Sequence, residues 1–350
     1  MSGIVRLAAG IEAELARRLP RQRKTQRGKL ALLVATMLSE RGANLMDLAA
    51  AVPRPAERTD MRYQWIARLL ADPRLDGDAV MQPFAEAAIS HAGAAGGTVV
   101  LILDQSKVSA RHQVLMLSVR VGERALPLAW RVRETRGSIG FVEQQELLTV
   151  VASWLPAGTR IVLMGDRFYG SPDLIALCRK LGWGWRLRLK QELLVFEGGG
   201  ETTLAACFAG GRHMLSGIEL TARRIVTNVA MVHEPGHPEP WLIALSEAPT
   251  VHRAFDYGLR WGIEAMFSDF KSRGFGLEDS QLRHPERLGR LLLVMALALH
   301  WAVSTGMWDT AHRPLPAEKK PQRKGRTRWP AAELPSSSAA CAASNVSFSS

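Results

Sequence analysis

The sequence contains few cysteines, which excludes two ways of stabilising a small fold. Its 350 residues include three, and none of them forms a Cys-x-x-Cys pair: Cys178, Cys207 and Cys341. Neither a disulfide scaffold nor a cysteine zinc site is expected from this spacing. A chain of this length can bury a core that needs no such cross-link.

Long uninterrupted apolar runs are also missing. Acids and arginines interrupt the apolar residues of the first twenty positions, so the sequence shows no secretory signal and predicts a reducing, cytoplasmic compartment. The apolar run at 291–303 has thirteen residues, whereas a helix that spans a bilayer needs ~20. We expect a buried core helix there and no membrane partner.

Positive charge is abundant, and most of it lies at the two ends. The net charge is +12; residues 1–30 contain eight Lys and Arg against two acids, and residues 309–350 contain seven against three. Basic ends on a nearly neutral body indicate a polyanion as partner, because a cation placed on a phosphate releases condensed counterions. Solvated arms without a partner explain the charge equally well.

Residues 1–90 are predicted to be helical. Periodic segments occur at 30–42, 44–52 and 61–72, separated by glycine and by proline-rich stretches. The turn 41–44 contains Gly42, so the first two segments fit a helix-turn-helix that reads DNA or a simple packed pair. We expect a helical bundle at 1–90 and treat it as a candidate DNA-end-binding region.

The rest of the chain predicts an α/β fold. Apolar strand patterns and punctuated helices follow the order β-β-β-α-β-α-β over residues 91–190. Residues 191–250 are glycine-rich and β-like, which indicates a β-rich insertion. Helical periodicity returns within 251–308. The segment 309–350 is basic and then Ser/Ala-rich, and it is expected to be disordered.

Two strand patterns are followed by an acid. Asp104 ends the run TVVLILD and Asp166 ends TRIVLMGD. Ligands of α/β sheets bind beyond the strand ends, so both carboxylates are candidates for a site. The competing interpretation is that each aspartate begins a turn.

A third acid lies in the segment 257–271. The periodicity predicts a helix over 253–273, and at about 100° per residue its polar residues fall within an arc of about 60°: Tyr257, Arg260, Glu264 and Lys271. This ridge suits a ligand that carries phosphates. A surface ladder of i,i+4 ion pairs is the alternative.

Together these strings carry a resemblance. LILDQS, LMGDRFYGS and YGLRWGIEAMFSDFK resemble the three acidic motifs of bacterial DDE transposases of the insertion-sequence-four family. The third motif of that family has Tyr, Arg, Glu and Lys at the spacing found in this segment. The resemblance spans residues 96–305 and implies a ribonuclease-H-like mixed sheet flanked by helices, with a β-rich insertion before the glutamate.

The resemblance also implies roles for individual residues. Asp104, Asp166 and Glu264 would be the catalytic acids and metal ligands, and the other three ridge residues would contact phosphates near the cut. Arg188 has the position of an arginine on the family's basic strand. Related transposases use a tryptophan of the insertion during hairpin formation, which makes Trp241 a DNA-binding candidate. As the first residue of an apolar strand, it fits the core as well.

Phosphodiester cleavage explains this residue set. Two divalent ions can activate the nucleophile and stabilise the leaving oxygen, and Mg²⁺ prefers oxygen ligands, with Mn²⁺ as an expected substitute. The expected partners are double-stranded DNA with terminal inverted repeats and target DNA, bound by a homodimer. The expected function is Mg-dependent cut-and-paste transposition. A nuclease that cuts without joining and a non-catalytic DNA-binding protein are the alternatives.

Overall fold

The structure is a computed structural model, and it describes residues 2–55, 58–197, 199–208, 210–233 and 238–312. The tail that the sequence analysis expects to be disordered lies outside the described residues from position 313 onward.

One mixed sheet of ten strands forms the centre of the described chain. The strands are β1 (Val99–Lys107), β2 (His112–Val121), β3 (Arg124–Glu134), β4 (Ile161–Gly165), β5 (Gly184–Arg188), β6 (Leu194–Glu197), β7 (Gly200–Thr203), β8 (Arg212–Leu220), β9 (Ile225–Val232) and β10 (Trp241–Leu245). Their order is β3-β2-β1-β4-β5-β10-β9-β8-β6-β7. β1 pairs with β4 and β4 with β5 in parallel, whereas the other pairs are antiparallel.

Eleven α-helices accompany the sheet in the described residues. They are α1 (Gly3–Arg18), α2 (Lys24–Glu40), α3 (Leu45–Ala51), α4 (Thr59–Ala71), α5 (Gly77–Ala92), α6 (Phe141–Ala152), α7 (Pro172–Lys180), α8 (Leu204–Cys207), α9 (Val251–Asp256), α10 (Gly262–Phe270) and α11 (Pro285–His312). α7 begins where its N-cap serine and its proline predict: the Ser171 hydroxyl accepts a hydrogen bond from the Leu174 amide at 3.2 Å, and Pro172 is the first helical residue. The predicted mixed α/β class and the order β-β-β-α-β-α-β are confirmed.

The N-terminal helices share their core with the sheet. The segment contains five α-helices, two more than the periodic segments indicated. Their buried side chains, such as Leu15, Leu33 and Leu70, belong to the same apolar cluster as Leu101 of β1 and Leu297 of α11. Helices α2, α4 and α5 all contact α11. The candidate DNA-end-binding region therefore packs directly on the domain that carries the acids.

The geometry of the α2–α3 pair favours a packed pair over a DNA reader. Asn44 caps α3, which has only seven residues. Leu45 and Leu48 face the core, so the exposed side of α3 presents Met46 and Asp47, and the helix contains neither Lys nor Arg. An acid on the exposed face would repel the phosphates of a duplex.

The predicted β-rich insertion extends the central sheet. β10 pairs with β5 in antiparallel orientation, from Ile243 opposite Arg188 to Leu245 opposite Arg186. β9, β8, β6 and β7 continue outward from it. The segment therefore adds strands to the edge of the parallel pair β4–β5.

The single helix predicted over 253–273 is wrong. α9 ends at Asp256, a 3-10 segment occupies Tyr257–Trp261, and α10 ends at Phe270. Gly258 lies in the 3-10 segment and Gly262 begins α10, and glycine favours an α-helix only weakly. In addition, Arg120 on β2 donates a hydrogen bond to the Leu259 carbonyl at 2.6 Å. Lys271 follows the helix with φ −94° and ψ −142°, so it does not continue a helical ridge.

Helix α11 is the core helix that the sequence predicts. Length and composition alone would allow it to cross a membrane. More than half of its apolar stretch is buried inside the protein, however, and residues 291–299 are all buried. It packs against β3 and against α2, α4 and α5.

We predict that His300 makes the stability of the fold depend on pH. Burial lowers its pKa from 6.5 to about 4, despite the hydrogen bond between Nε2 and the Pro127 carbonyl at 3.1 Å, and Arg18 lowers it further. The neutral ring therefore contributes stability fully above pH 6.5, and this is lost as the pH falls toward 4. The difference in the free energy of unfolding is about 3 kcal/mol for the full shift.

Urea unfolding of wild type and His300→Gln at pH 7.5 and pH 4.5 measures this. Gln can keep the hydrogen bond to Pro127 and does not titrate, so the variant should lose less stability on acidification than the wild type. The same loss in both proteins would contradict the assignment.

Candidate active site

Asp104 and Asp166 lie side by side on neighbouring parallel strands. The last paired residues of β1 and β4 are Leu103 and Gly165, and each acid is the next residue along its strand. Adjacent strands are ~4.8 Å apart, so the two carboxylates share one edge of the sheet. β1 itself continues beside β2 to Lys107, so Asp104 marks the end of the pairing with β4 and not the end of its own strand.

Arg260 connects the third acid to the first. Its Nη1 donates to Asp104 Oδ2 at 3.1 Å, and its Nη2 donates to Glu264 Oε1 at 2.7 Å. The Arg260 side chain is 10% exposed and that of Asp104 15%, whereas that of Glu264 is 60% exposed. The guanidinium thus joins a buried acid on the sheet to an exposed acid on α10. Through this arginine, Asp104 and Glu264 are brought together although they are 160 positions apart in the chain.

The protonation of Asp104 reports on all three acids. Burial raises the pKa of its carboxyl to about 6, and the charges of Asp166 and Glu264 raise it as well. The positive charge of Arg260 and the Gln105 amide, which donates at 2.8 Å, act in the opposite direction. The acids therefore form one electrostatic group that a bound cation would stabilise.

Tyr169 is a buried residue close to the two aspartates. It is 1% exposed, and burial together with the charges of Asp104 and Asp166 raises the pKa of its hydroxyl. Within the described part of the chain this hydroxyl has no hydrogen-bond partner. A Cβ at Gly165 would lie 2.7 Å from the Tyr169 Cβ. The glycine therefore allows the tyrosine to pack under the acids.

Three residues of the predicted ridge stay together in the structure, whereas Lys271 leaves it. Tyr257 and Arg260 are 2% and 9% exposed, and both lie in the 3-10 segment, whereas Glu264 points outward from α10. Burial raises the pKa of Tyr257 to about 12, and Arg260, Arg188 and Asp166 all act on its hydroxyl. The surface-ladder alternative does not describe Arg260, because it pairs with the buried Asp104 as well as with Glu264.

Trp241 is a packing residue in this structure. It begins β10, is 6% exposed and belongs to an apolar cluster with Tyr257. Its ring lies edge-to-face against Tyr257 at 5.3 Å and against Trp261 at 5.8 Å. A ring that is 6% exposed leaves a base almost no surface to stack on, so the core interpretation describes the observed state.

Two exposed aromatic residues next to the site residues were not predicted from the sequence. Phe168, two residues after Asp166, is 40% exposed, and Trp261, next to Arg260, is 42% exposed. Their position inside the second and third acidic strings was the available signal. Exposed rings at this place offer stacking surfaces for unpaired bases.

Arg188 lies in the same row as the two aspartates. β4 and β5 pair up to Gly165 and Leu187, so Arg188 follows at the level of Asp166. Its Nη2 donates to Glu239 Oε2 at 3.2 Å and to the Pro240 carbonyl at 3.4 Å. Arg167 pairs with the same Glu239 oxygen at 2.9 Å. The residues Arg167 and Glu239 were also not identified from the sequence.

The donor set suits a hard divalent cation, although the acids are not arranged as a closed metal cage. Among the described residues, no three His, Cys, Asp or Glu side chains are close enough to enclose an ion. The Arg260 guanidinium lies between Asp104 and Glu264, and it supplies the positive charge that a bound cation would otherwise bring to these two acids. Carboxylate oxygens on adjacent strands are nevertheless the ligands that Mg²⁺ prefers, together with water and phosphate.

These features define a mixed α/β domain with a carboxylate site where the parallel pairing of β1 and β4 ends. Residues 142–301 match the family model described as the transposase DDE domain. The match covers less than half of the chain and includes Asp166 and Glu264 but not Asp104. No curated protein matches the chain. The match supports a DDE transposase domain at these residues, in agreement with the predicted resemblance in this general form.

We predict that Gly165→Ala destabilises the protein by about 1–3 kcal/mol, because the added methyl group meets Tyr169 in a packed interior. Gly10→Ala is the matched control. Gly10 lies within α1 and has open space at its Cβ, so alanine should stabilise that helix by ~0.5–1 kcal/mol. Urea denaturation compares both variants with the wild type; a neutral Gly165→Ala would mean that Tyr169 has room to move.

Proposed function

We propose that the protein is a cut-and-paste transposase that cleaves DNA at the ends of an element and joins the liberated 3′-hydroxyl to target DNA. The observation that carries the proposal is the link from Arg260 to both Asp104 and Glu264, with Asp166 adjacent to Asp104. These contacts support a site to which three separate parts of the chain each contribute one acid.

The sheet supports the finer assignment of the fold. Three antiparallel strands, β3-β2-β1, are followed by the parallel strands β4 and β5. This arrangement supports a ribonuclease-H-like core for residues 91–190, completed by α10 and α11. The strands of 191–250 then represent the β-rich insertion expected before the third acid.

The proposed reaction uses the acids as ligands and the cations as phosphate contacts. Asp104, Asp166 and Glu264 would hold two Mg²⁺ ions, which activate the attacking oxygen and stabilise the leaving oxygen when bound. Arg260 would neutralise the acids and reach the phosphate near the cut. Lys271, at the end of α10, would hold a neighbouring phosphate. Tyr257 would position Arg260, because its ring lies 5.8 Å from the guanidinium carbon.

Exposed cations of the N-terminal region support a role for it in binding element ends. Arg21, Arg23 and Lys24 are exposed at the junction between α1 and α2. A cleft between this junction and α5 is lined by Arg21, Arg23 and Arg74. We propose that this junction, and not the α2–α3 pair, contacts the duplex, with a homodimer holding two ends.

We predict that Asp104→Asn, Asp166→Asn and Glu264→Gln each abolish cleavage of an element-end duplex in Mg²⁺ or Mn²⁺. The amides keep the shape of the side chains but remove the charge that holds the ions. Circular dichroism and DNA binding should stay near the wild type. Asp269→Asn is the control, since Asp269 lies on α10 but pairs with Arg124.

An acid variant that cuts normally would remove that residue from the site. A pre-cut end supplied as substrate tests the joining step separately. Wild-type protein that cuts the end but never joins it to target DNA would identify a nuclease. Binding without either reaction would identify a DNA-binding protein.

We predict that Arg260→Ala and Lys271→Ala weaken the DNA complex and reduce the magnitude of its log-salt slope by about one for each lost phosphate contact. Binding is measured by fluorescence anisotropy at several salt concentrations. Lys180→Ala is the control, because Lys180 is exposed at the far end of α7. Unchanged slopes in both test variants would exclude these residues from the DNA interface.

A further inference from the structure

A basic cleft adjoins the carboxylate site on the side of β5. It has a volume of about 300 Å³, and its charged lining consists of Arg167, Arg188, Lys190, Glu192 and Glu239. Three cations and two acids give it a net positive charge. Unlike the acids beside it, this cleft is suited to an anion.

The backbone places the cleft next to the acids. Arg167 directly follows Asp166, and Arg188 lies at the level of Asp166 on the adjacent strand. Gly170 allows this approach, since a Cβ there would lie 2.1 Å from the Arg188 carbonyl oxygen. A strand whose phosphate lies at the acids would therefore bring its next phosphate near the cleft.

Both arginines of the cleft form ion pairs with the same carboxylate oxygen, Glu239 Oε2. Arg167 Nη1 lies 2.9 Å and Arg188 Nη2 3.2 Å from Glu239 Oε2. Two guanidinium groups that converge on one anionic oxygen form the arrangement that a phosphate oxygen takes. Arg188 is the last residue of β5, and its side chain is only 20% exposed.

The carboxylate itself is easily displaced. The Glu239 side chain is 44% exposed and that of Arg167 50%. Exposed ion pairs of this kind contribute only ~0.2–1 kcal/mol. Releasing Glu239 into water therefore leaves no buried charge, and a phosphodiester can replace it at low cost.

We propose that Glu239 holds the place of a DNA backbone phosphate in the free protein, and that Arg167, Arg188 and Lys190 form a phosphate subsite which the strand enters by displacing this carboxylate. The inference rests on the proposed function, because it identifies DNA as the ligand. It adds a built-in competitor that lowers the affinity of the subsite for any strand that enters it.

The experiment compares DNA affinity in full-length variants without divalent ions, so that the catalytic acids are not tested. Anisotropy of a labelled single-stranded oligonucleotide and of an element-end duplex gives the dissociation constants. Glu239→Gln should bind both about three- to fivefold more tightly, the change that corresponds to the loss of one competing surface pair. Glu219→Gln is the control, since Glu219 pairs with Arg224 and has similar exposure.

A double-mutant cycle tests whether the gain acts through the cleft. In an Arg167→Gln background, Glu239→Gln should give a clearly smaller gain, because one of the groups it releases is missing. Thermal unfolding of every variant checks that the fold is retained. Arg167→Lys, which keeps the charge, provides a second measurement if the glutamine variant is unstable.

The outcomes separate the possibilities. Equal gains in Glu239→Gln and Glu219→Gln, or no coupling to Arg167, would overturn the subsite. Stabilisation of Glu239→Gln by inorganic phosphate without tighter DNA binding would assign the cleft to a free anion and overturn it as well. Tighter DNA binding by a protein that never cleaves DNA would support the subsite while contradicting the proposed transposase.

Discussion

The contact from Arg260 to Asp104 and Glu264 connects the two parts of the candidate site. Asp104 is fixed by the sheet, whereas Glu264 depends on the position of a short helix that follows a 3-10 segment. A buried carboxylate is costly unless a cation pairs with it, so Asp104 requires Arg260, and Arg260 in turn orients α10. Tyr257 of the 3-10 segment packs in an apolar cluster with Trp241, which also holds this segment in place.

Charges of alternating sign extend from this contact across the sheet. Glu264, Arg260 and Asp104 form one ion-pair group with an excess of acid, and Arg188, Glu239 and Arg167 form a second group beside it with an excess of positive charge. In each group the protein supplies its own counter-ion. Divalent cations and DNA phosphates would have to compete with these internal partners.

The acids lie on a rigid scaffold because one apolar core holds the helices and the sheet together. Helices α2, α4 and α5 contact α11, and α5, α10 and α11 contact β3. Because the N-terminal helices share this core, their position relative to the acids is fixed by packing. The same packing means that residues 1–90 are part of the body of the protein.

The sequence by itself determined the strands, most of the helices and the three acids, because each is encoded locally: an apolar run followed by an aspartate, or a Tyr, Arg, Glu and Lys at fixed spacing. It could not determine where the long helix breaks, since Arg120 reaches Leu259 from a distant strand. Only the tertiary structure decided that Trp241 is buried, that Arg260 bridges two acids and that Glu239 pairs with Arg167 and Arg188. These features depend on sheet order and on contacts between residues far apart in the chain, and no local pattern encodes such contacts.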